Sequence, residues 1–195
     1  MIRHGADVNA RDRGHKTHLH QALSQNNAEI VQLLIEHGAD VNARDGSHST
    51  PLHLASSQSD GICVRLLIKH GADVCARDGN HSTPLHLATS KGIAETMQIL
   101  IEHGADIHAE DNTYSTPFHL ALSKRDTKIV QLLIEHGVDV NARDRSHKTP
   151  LRQILSCVSA EFLRLLIKHW TDVMRRLKNP GLGSCCRQFG ASYSY

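Results

Sequence analysis

The sequence predicts an all-α repeat solenoid, built from stacked helix-turn-helix units with projecting hairpin loops. Three observations predict it. The chain matches itself at a fixed offset of 33 residues over most of its 195 residues. Each copy carries a helix-start signal and a helix-stop signal around two short apolar stretches. Aromatic residues are only 4% of a chain that is 39% hydrophobic, so the core must be Leu, Ile, Val and Ala, which suits helices better than an all-β sandwich.

Thr17, Thr50, Thr83, Thr116 and Thr149 open five copies of the first segment, whose best versions read Thr50-Pro51-Leu52-His53-Leu54-Ala55 and Thr83-Pro84-Leu85-His86-Leu87-Ala88. A Thr side chain can accept from an orphan amide, and Pro at the first helical position gives up a donor that would be unpaired anyway. A short helix is therefore predicted to begin near Pro51, Pro84, Pro117 and Pro150. After a polar break such as Ser57-Gln58-Ser59-Asp60, a second apolar stretch follows, for example Ile62 to Ile68. It stops at His70-Gly71, where Gly can take up the left-handed conformation and His sits at the negative end of the helix dipole. The stop recurs as His-Gly-Ala-Asp at 4–7, 37–40, 70–73 and 103–106, then as His136-Gly137-Val138-Asp139 and, broken, as His169-Trp170-Thr171-Asp172. Each linker, as in Ala72 to Asn80, has turn residues and too few apolar ones for a helix, so it should project as an extended loop or hairpin. Helix pairs are expected near 17–37, 50–70, 83–103, 116–136 and 149–169, in an array over 1–172, with a basic tail over 173–195 that is expected to be disordered.

The Thr-Pro-Leu-His-x-Ala start, the Gly-Ala-Asp-Val-Asn linker and the 33-residue period together resemble the ankyrin repeat family. The resemblance covers residues 1 to about 172, and it implies an L-shaped stack of helix pairs with β-hairpins projecting at right angles and a concave helix face. It also implies a non-enzymatic protein-protein interaction module that binds a partner through hairpin tips and that concave face. Asn9, Asn42 and Asn141 are similar to asparagine-hydroxylation sites of such linkers.

Sixteen histidines suggest metal or acid-base chemistry until they are sorted by register. Six end the second helices (His4, His37, His70, His103, His136, His169), four occupy the Thr-Pro-Leu-His slot (His20, His53, His86, His119) and four lie on the approach to the first helix (His15, His48, His81, His147). Members of one register run along the stack and do not converge as tetrahedral ligands must, so they read as structural. The resemblance implies that the slot histidine ties a helix start to neighbouring loop backbone. It also implies Gly at the third register, where this chain has His, with Tyr114 in the fourth copy, so a left-handed backbone is carried there by side-chain-bearing residues at a cost of about 1 kcal/mol each. That ladder is either duplicated drift or a set of rings near the binding edge that charge below about pH 6.5.

Binding must be read from what varies between copies, which is the loop tips. The candidate partner contacts are Arg13 and Lys16, Ser47 and Ser49, Asn80 and Ser82, Thr113, Tyr114 and Ser115, and Arg145 and Lys148. Beside them, Arg11, Arg44, Arg77, Glu110 and Arg143 form a basic row, read here as a solvated charged edge that Asp12, Asp45, Asp78, Asp111 and Asp144 partly neutralise. No nucleophile, base and orienter stand out from the repeat, and no phosphate-binding Gly-rich motif occurs, so no catalytic, cofactor or metal residues are assigned and no small-molecule substrate is evident. The formal charge of +2 divides into about +4 after Asp172 and a mildly acidic array, which implies neither nucleic acid nor membrane as partner. Five irregularly spaced cysteines read as reduced thiols in an intracellular protein, cytoplasmic or nuclear.

Both ends depart from the pattern. Met1 aligns with Leu34, so the pair from Thr17 to His37 is expected to expose its outer apolar face, as in a fragment of a longer array that recruits substrate for a larger enzyme or regulator. Arg152, Ile154 and Trp170 make the last copy degenerate. In the tail, Leu182 and Cys186 have a spacing similar to the adaptor-binding box of ankyrin-type ubiquitin-ligase receptors, although Gly181 and Gly190 depart from it, and Cys185-Cys186 near basic residues offers a lipid acceptor.

Overall fold

The computed structural model describes residues 7–58, 61–139 and Arg164. The chain divides into two units, Met1–Ser156 and Cys157–Tyr195, and the fold below is that of the first. The last helix pair and the basic tail, with its Leu182 and Cys186 spacing, lie outside the described residues apart from Arg164.

Eight helices alternate in two layers. The inner-loop layer holds α1 (His18–Ser24), α3 (Pro51–Ser56), α5 (Pro84–Lys91) and α7 (Pro117–Lys124). The second layer holds α2 (Ala28–Glu36), α4 (Gly61–Lys69), α6 (Ala94–Glu102) and α8 (Thr127–Glu135). Each first helix packs on its own second helix, and each helix also packs on its counterpart in the next copy. The first helices start where Thr17, Thr50, Thr83 and Thr116 hold an extended N-cap backbone, and in three of the four Pro follows at the first turn. Among the second helices, the Asn27 side chain accepts from Ile30 N–H at 3.1 Å, and Asp126 accepts from Lys128 and Ile129 at 3.1 and 3.2 Å.

Every second helix stops in the same way. Gly38, Gly71, Gly104 and Gly137 have φ between 80° and 87°, a region in which a Cβ is strained. That conformation lets Gly38 N–H donate to Ile35 at 3.0 Å and Ala39 N–H to Leu34 at 2.9 Å, the paired bonds that close a helix, and the other three copies repeat them. The histidine before each Gly adds a bond of its own. Nδ1 of His37, His70, His103 and His136 lies 2.8–2.9 Å from the carbonyl four residues back, so the ring N–H donates a second bond to an acceptor that the histidine's own backbone N–H also reaches at 3.2 Å.

The core is aliphatic and periodic. Leu19, Leu52, Leu85 and Phe118 are fully buried on the first helices, and Ala22, Ala55, Ala88 and Ala121 let those helices approach closely. Val31, Val64, Met97 and Val130 fill the matching position on the second helices. The outer face of the first copy lacks this cover. Ile30 is 42% exposed whereas Ile129, three periods on, is 1% exposed. Leu33 is 46% exposed, while its counterpart Ile99 turns towards α4, its Cδ1 3.3 Å from where a Cβ on Gly61 would stand. Among the described residues no helix precedes α1 to do the same for Leu33.

Two hydroxyls interrupt the apolar core in the middle copies. Ser56 Oγ and Thr96 Oγ1 are buried and find no hydrogen-bond partner among the described residues, whereas Thr89 Oγ1 donates to Leu85 at 2.7 Å. A buried unsatisfied hydroxyl costs about 1–3 kcal/mol. Thr96 occupies the position that Ile129 fills without strain, so Thr96→Val should raise the free energy of unfolding by about 1 kcal/mol, read as a higher urea midpoint with unchanged slope.

Candidate functional site

Chemistry-bearing residues concentrate on the loop edge, where linkers of successive copies lie side by side. The edge is anchored by the slot histidines. Backbone N–H of Thr17, Thr50, Thr83 and Thr116 donates to Nδ1 of the histidine three residues on at 3.2 Å, and the Thr hydroxyl reaches the same nitrogen at 2.8–2.9 Å. With that lone pair engaged, the ring proton resides on Nε2. Nε2 then donates across to the next copy, from His20 to Ser49 O at 3.3 Å, from His53 to Ser82 O at 3.0 Å and from His86 to Ser115 O at 3.1 Å. His119 Nε2 is buried without a partner among the described residues, and the residue one step further in this series, Lys148, lies outside them. Burial holds the pKa of His20, His53 and His86 below the ordinary value of 6.5, partly opposed by the bond to the serine carbonyl. These histidines are structural links in neutral form.

Each loop tip is folded around one carboxylate. Oδ1 of Asp45 accepts from Ser47 and Ser49 N–H at 2.8 and 3.0 Å, and Oδ1 of Asp78 accepts from Asn80 and Ser82 at 2.8 and 2.9 Å. Asp12 and Asp111 repeat the pattern. Asp12 is accordingly held below its ordinary pKa, chiefly by the Lys16 amide. The turn closes when His48 N–H donates to Asp45 O at 2.9 Å and Asp45 N–H to Ser49 O at 3.0 Å. Closing it requires positive φ at the fourth residue, and His15, His48, His81 and Tyr114 all have φ between 57° and 60°. The left-handed ladder read from sequence is thus present. The hairpins implied by the family resemblance shrink to this single turn, because among the described residues no strand forms and Arg11 and Thr17 alone make a β-bridge.

Arg11, Arg44 and Arg77 are exposed, as the reading of a solvated edge expects, but they form no ion pair with the adjacent aspartates. The Asp side chains face their own loop amides, and among the described residues the one ion pair is Arg65 with Glu95 at 3.2 Å, on the second helices. Arg11, Arg44 and Arg77 instead donate from one guanidinium nitrogen to the carbonyl of the residue 33 positions on, at 3.0, 2.8 and 2.9 Å. Asn9 and Asn42 form a parallel ladder. The Asn42 amide donates to Gly71 O at 3.0 Å and accepts from Asp73 N–H at 2.9 Å, and Asn9 does the same with Gly38 and Asp40. Backbone links join the tips themselves, Gly46 N–H to Gly14 O at 2.8 Å and Gly79 N–H to Ser47 O at 2.9 Å. These cross-copy bonds were missed as function-neutral stitching. Their signal in the sequence was invariance, since residues identical in successive copies bond to the next copy.

Of the tip residues read as partner contacts, Arg13, Lys16, Ser47, Asn80, Thr113 and Tyr114 are exposed. Ser49, Ser82 and Ser115 are half-buried, their amides and carbonyls taken by the aspartate and histidine bonds. Arg145 and Lys148 lie outside the described residues. Among the described residues no group of three or more His, Cys, Asp or Glu is placed to hold a metal ion, no helix is long and apolar enough to cross a membrane, and Cys63 and Cys75 form no disulfide.

This geometry can be set against known families. Models of ankyrin repeats match residues 19–68, 45–111 and 100–152, one described as three copies and two as many copies. The chain belongs to the ankyrin repeat family. Ankyrin repeats are generally non-catalytic modules that bind protein partners. A search of curated proteins finds no match.

Two outcomes follow from the ankyrin edge. The unfolded chain protonates near pH 6.5, whereas the buried histidines resist protonation until a lower pH, so stability is full above 6.5 and falls as pH drops through that interval. Urea midpoints should therefore decline from pH 7.5 to about 5.5, and a flat profile would contradict the lowered values. Asp78→Ala should cost about 1–3 kcal/mol in the same assay by orphaning two loop amides, while Asp78→Asn, which keeps the acceptor, should cost less.

Proposed function

We propose that this chain is a non-enzymatic module holding a protein partner on its loop tips and the adjoining concave face of the first helices. One observation carries the reading. The tip backbones and the repeated Asp, Asn, Arg and slot-histidine side chains are consumed by bonds within and between copies, while the varying side chains Arg13, Lys16, Ser47, Asn80, Thr113 and Tyr114 stand exposed along one edge. A rigid edge with exchangeable side chains meets the low entropic cost that specific association needs. The partner surface has both polar tips and, in Tyr114 and Arg13, residue types that dominate binding energy at interfaces.

The test is affinity capture from native lysate with the full chain and with a variant in which Arg13, Lys16, Ser47, Asn80, Thr113 and Tyr114 are alanine. The expected result is loss of one or more captured proteins with an unchanged urea midpoint. Equal capture by both proteins would overturn the tip assignment.

A further inference from the structure

The fourth linker breaks the internal pattern at three positions at once. Asn9, Asn42 and Cys75 give way to His108, Arg11, Arg44 and Arg77 to Glu110, and His15, His48 and His81 to Tyr114. All three replacements line one cleft of about 470 Å³ between the third and fourth linkers, opposite Arg77 and His81 and beside Asp106. That volume lies within the range of sites that accept a side chain or small ligand.

The replaced groups are uncommitted. Glu110 gives its main-chain carbonyl to Arg77 at 2.9 Å, but its carboxylate, the rings of His81 and His108 and the Tyr114 hydroxyl make no hydrogen bond or ion pair among the described residues. Tyr114 is 55% exposed, an aromatic ring displayed on a turn whose left-handed backbone is closed by its own N–H bond to Asp111 O at 2.9 Å. Arg77 is the one Lys or Arg in the lining, against Asp106, Glu110 and Asp111, so the lining carries a formal excess of negative charge beside an exposed ring.

We infer that this cleft, on the partner-binding edge proposed above, receives an arginine side chain from an extended segment of the protein partner. A guanidinium stacks on a tyrosine face and forks onto a carboxylate at the same time, which a lysine ammonium cannot do. Glu110 supplies the carboxylate, Tyr114 the face, and Asp106 adds to the field. The first three linkers, with Arg and His at these registers, lack both groups and do not form such a site.

The probe is acetyl-Gly-Arg-Gly-amide, titrated into the isotope-labelled full chain and followed by amide chemical shifts, with the Lys and Glu analogues in parallel. Shifts confined to residues 77–81 and 106–114 are expected with the arginine peptide, weaker ones with lysine and none with glutamate. Glu110→Arg should weaken binding about tenfold and Tyr114→His about threefold. Both place residues that other copies already carry, so the urea midpoint checks that the fold is kept. Shifts elsewhere, equal shifts from the glutamate peptide, or an affinity untouched by Glu110→Arg overturn the assignment. A captured partner that depends on Ser47 and Asn80 but ignores Glu110→Arg and Tyr114→His overturns the arginine cleft while leaving the broader reading of the tips intact.

Discussion

The stack depends on one imidazole per copy. Nδ1 accepts the amide at the start of its own first helix, and Nε2 passes a proton bond to a serine carbonyl in the next copy. A neutral imidazole offers an acceptor and a donor on separate nitrogens of a rigid ring, so it caps a helix and docks a loop in a single placement. Burial is what keeps it neutral, and neutrality is what keeps both bonds. Helix start, loop position and spacing of copies are thereby coupled, which ties each unit to its neighbour and makes the array cooperative.

Around that bridge the loop edge is stitched by shorter-range devices. A carboxylate folds each tip by taking its amides, arginine and asparagine ladders join equivalent carbonyls and amides along the stack, and backbone bonds link adjacent tips. Each bond is worth only about 1 kcal/mol net, but the repetition places several at every junction. The consequence for function is a division of labour by register. Most repeated residues spend their polar groups on the fold, and varying ones remain for a partner, so the fourth linker stands out because two of its stitching registers and its left-handed turn position have changed.

Much of the fold was legible in the residues. Thr-Pro at 50–51, 83–84 and 116–117 marks real helix starts, and His-Gly at 37–38, 70–71, 103–104 and 136–137 marks real stops, because caps are local and a few neighbouring residues decide them. The left-handed ladder of His15, His48, His81 and Tyr114 was legible through the family resemblance, which implies Gly at that register. The bonding of the arginine row was not. Whether Arg44 faces solvent, Asp45 or a carbonyl 33 residues away depends on how closely two linkers approach, and no local pattern encodes that distance.

By itself, then, the sequence determined the period, the caps and the aliphatic core, all of which follow from short-range chemistry copied at a fixed interval, while the cross-copy duty of the slot histidines came from the family resemblance. The tertiary structure decided which polar groups are consumed and which are left over. It drew Asp45 inward and Arg44 along the stack, half-buried Ser49, Ser82 and Ser115, and gathered His108, Glu110 and Tyr114 around one cleft. The physical reason is that hydrogen bonds to the next copy are made at offsets of 29 to 33 residues, where the stacking of helices sets the partner and the chain's local preferences do not.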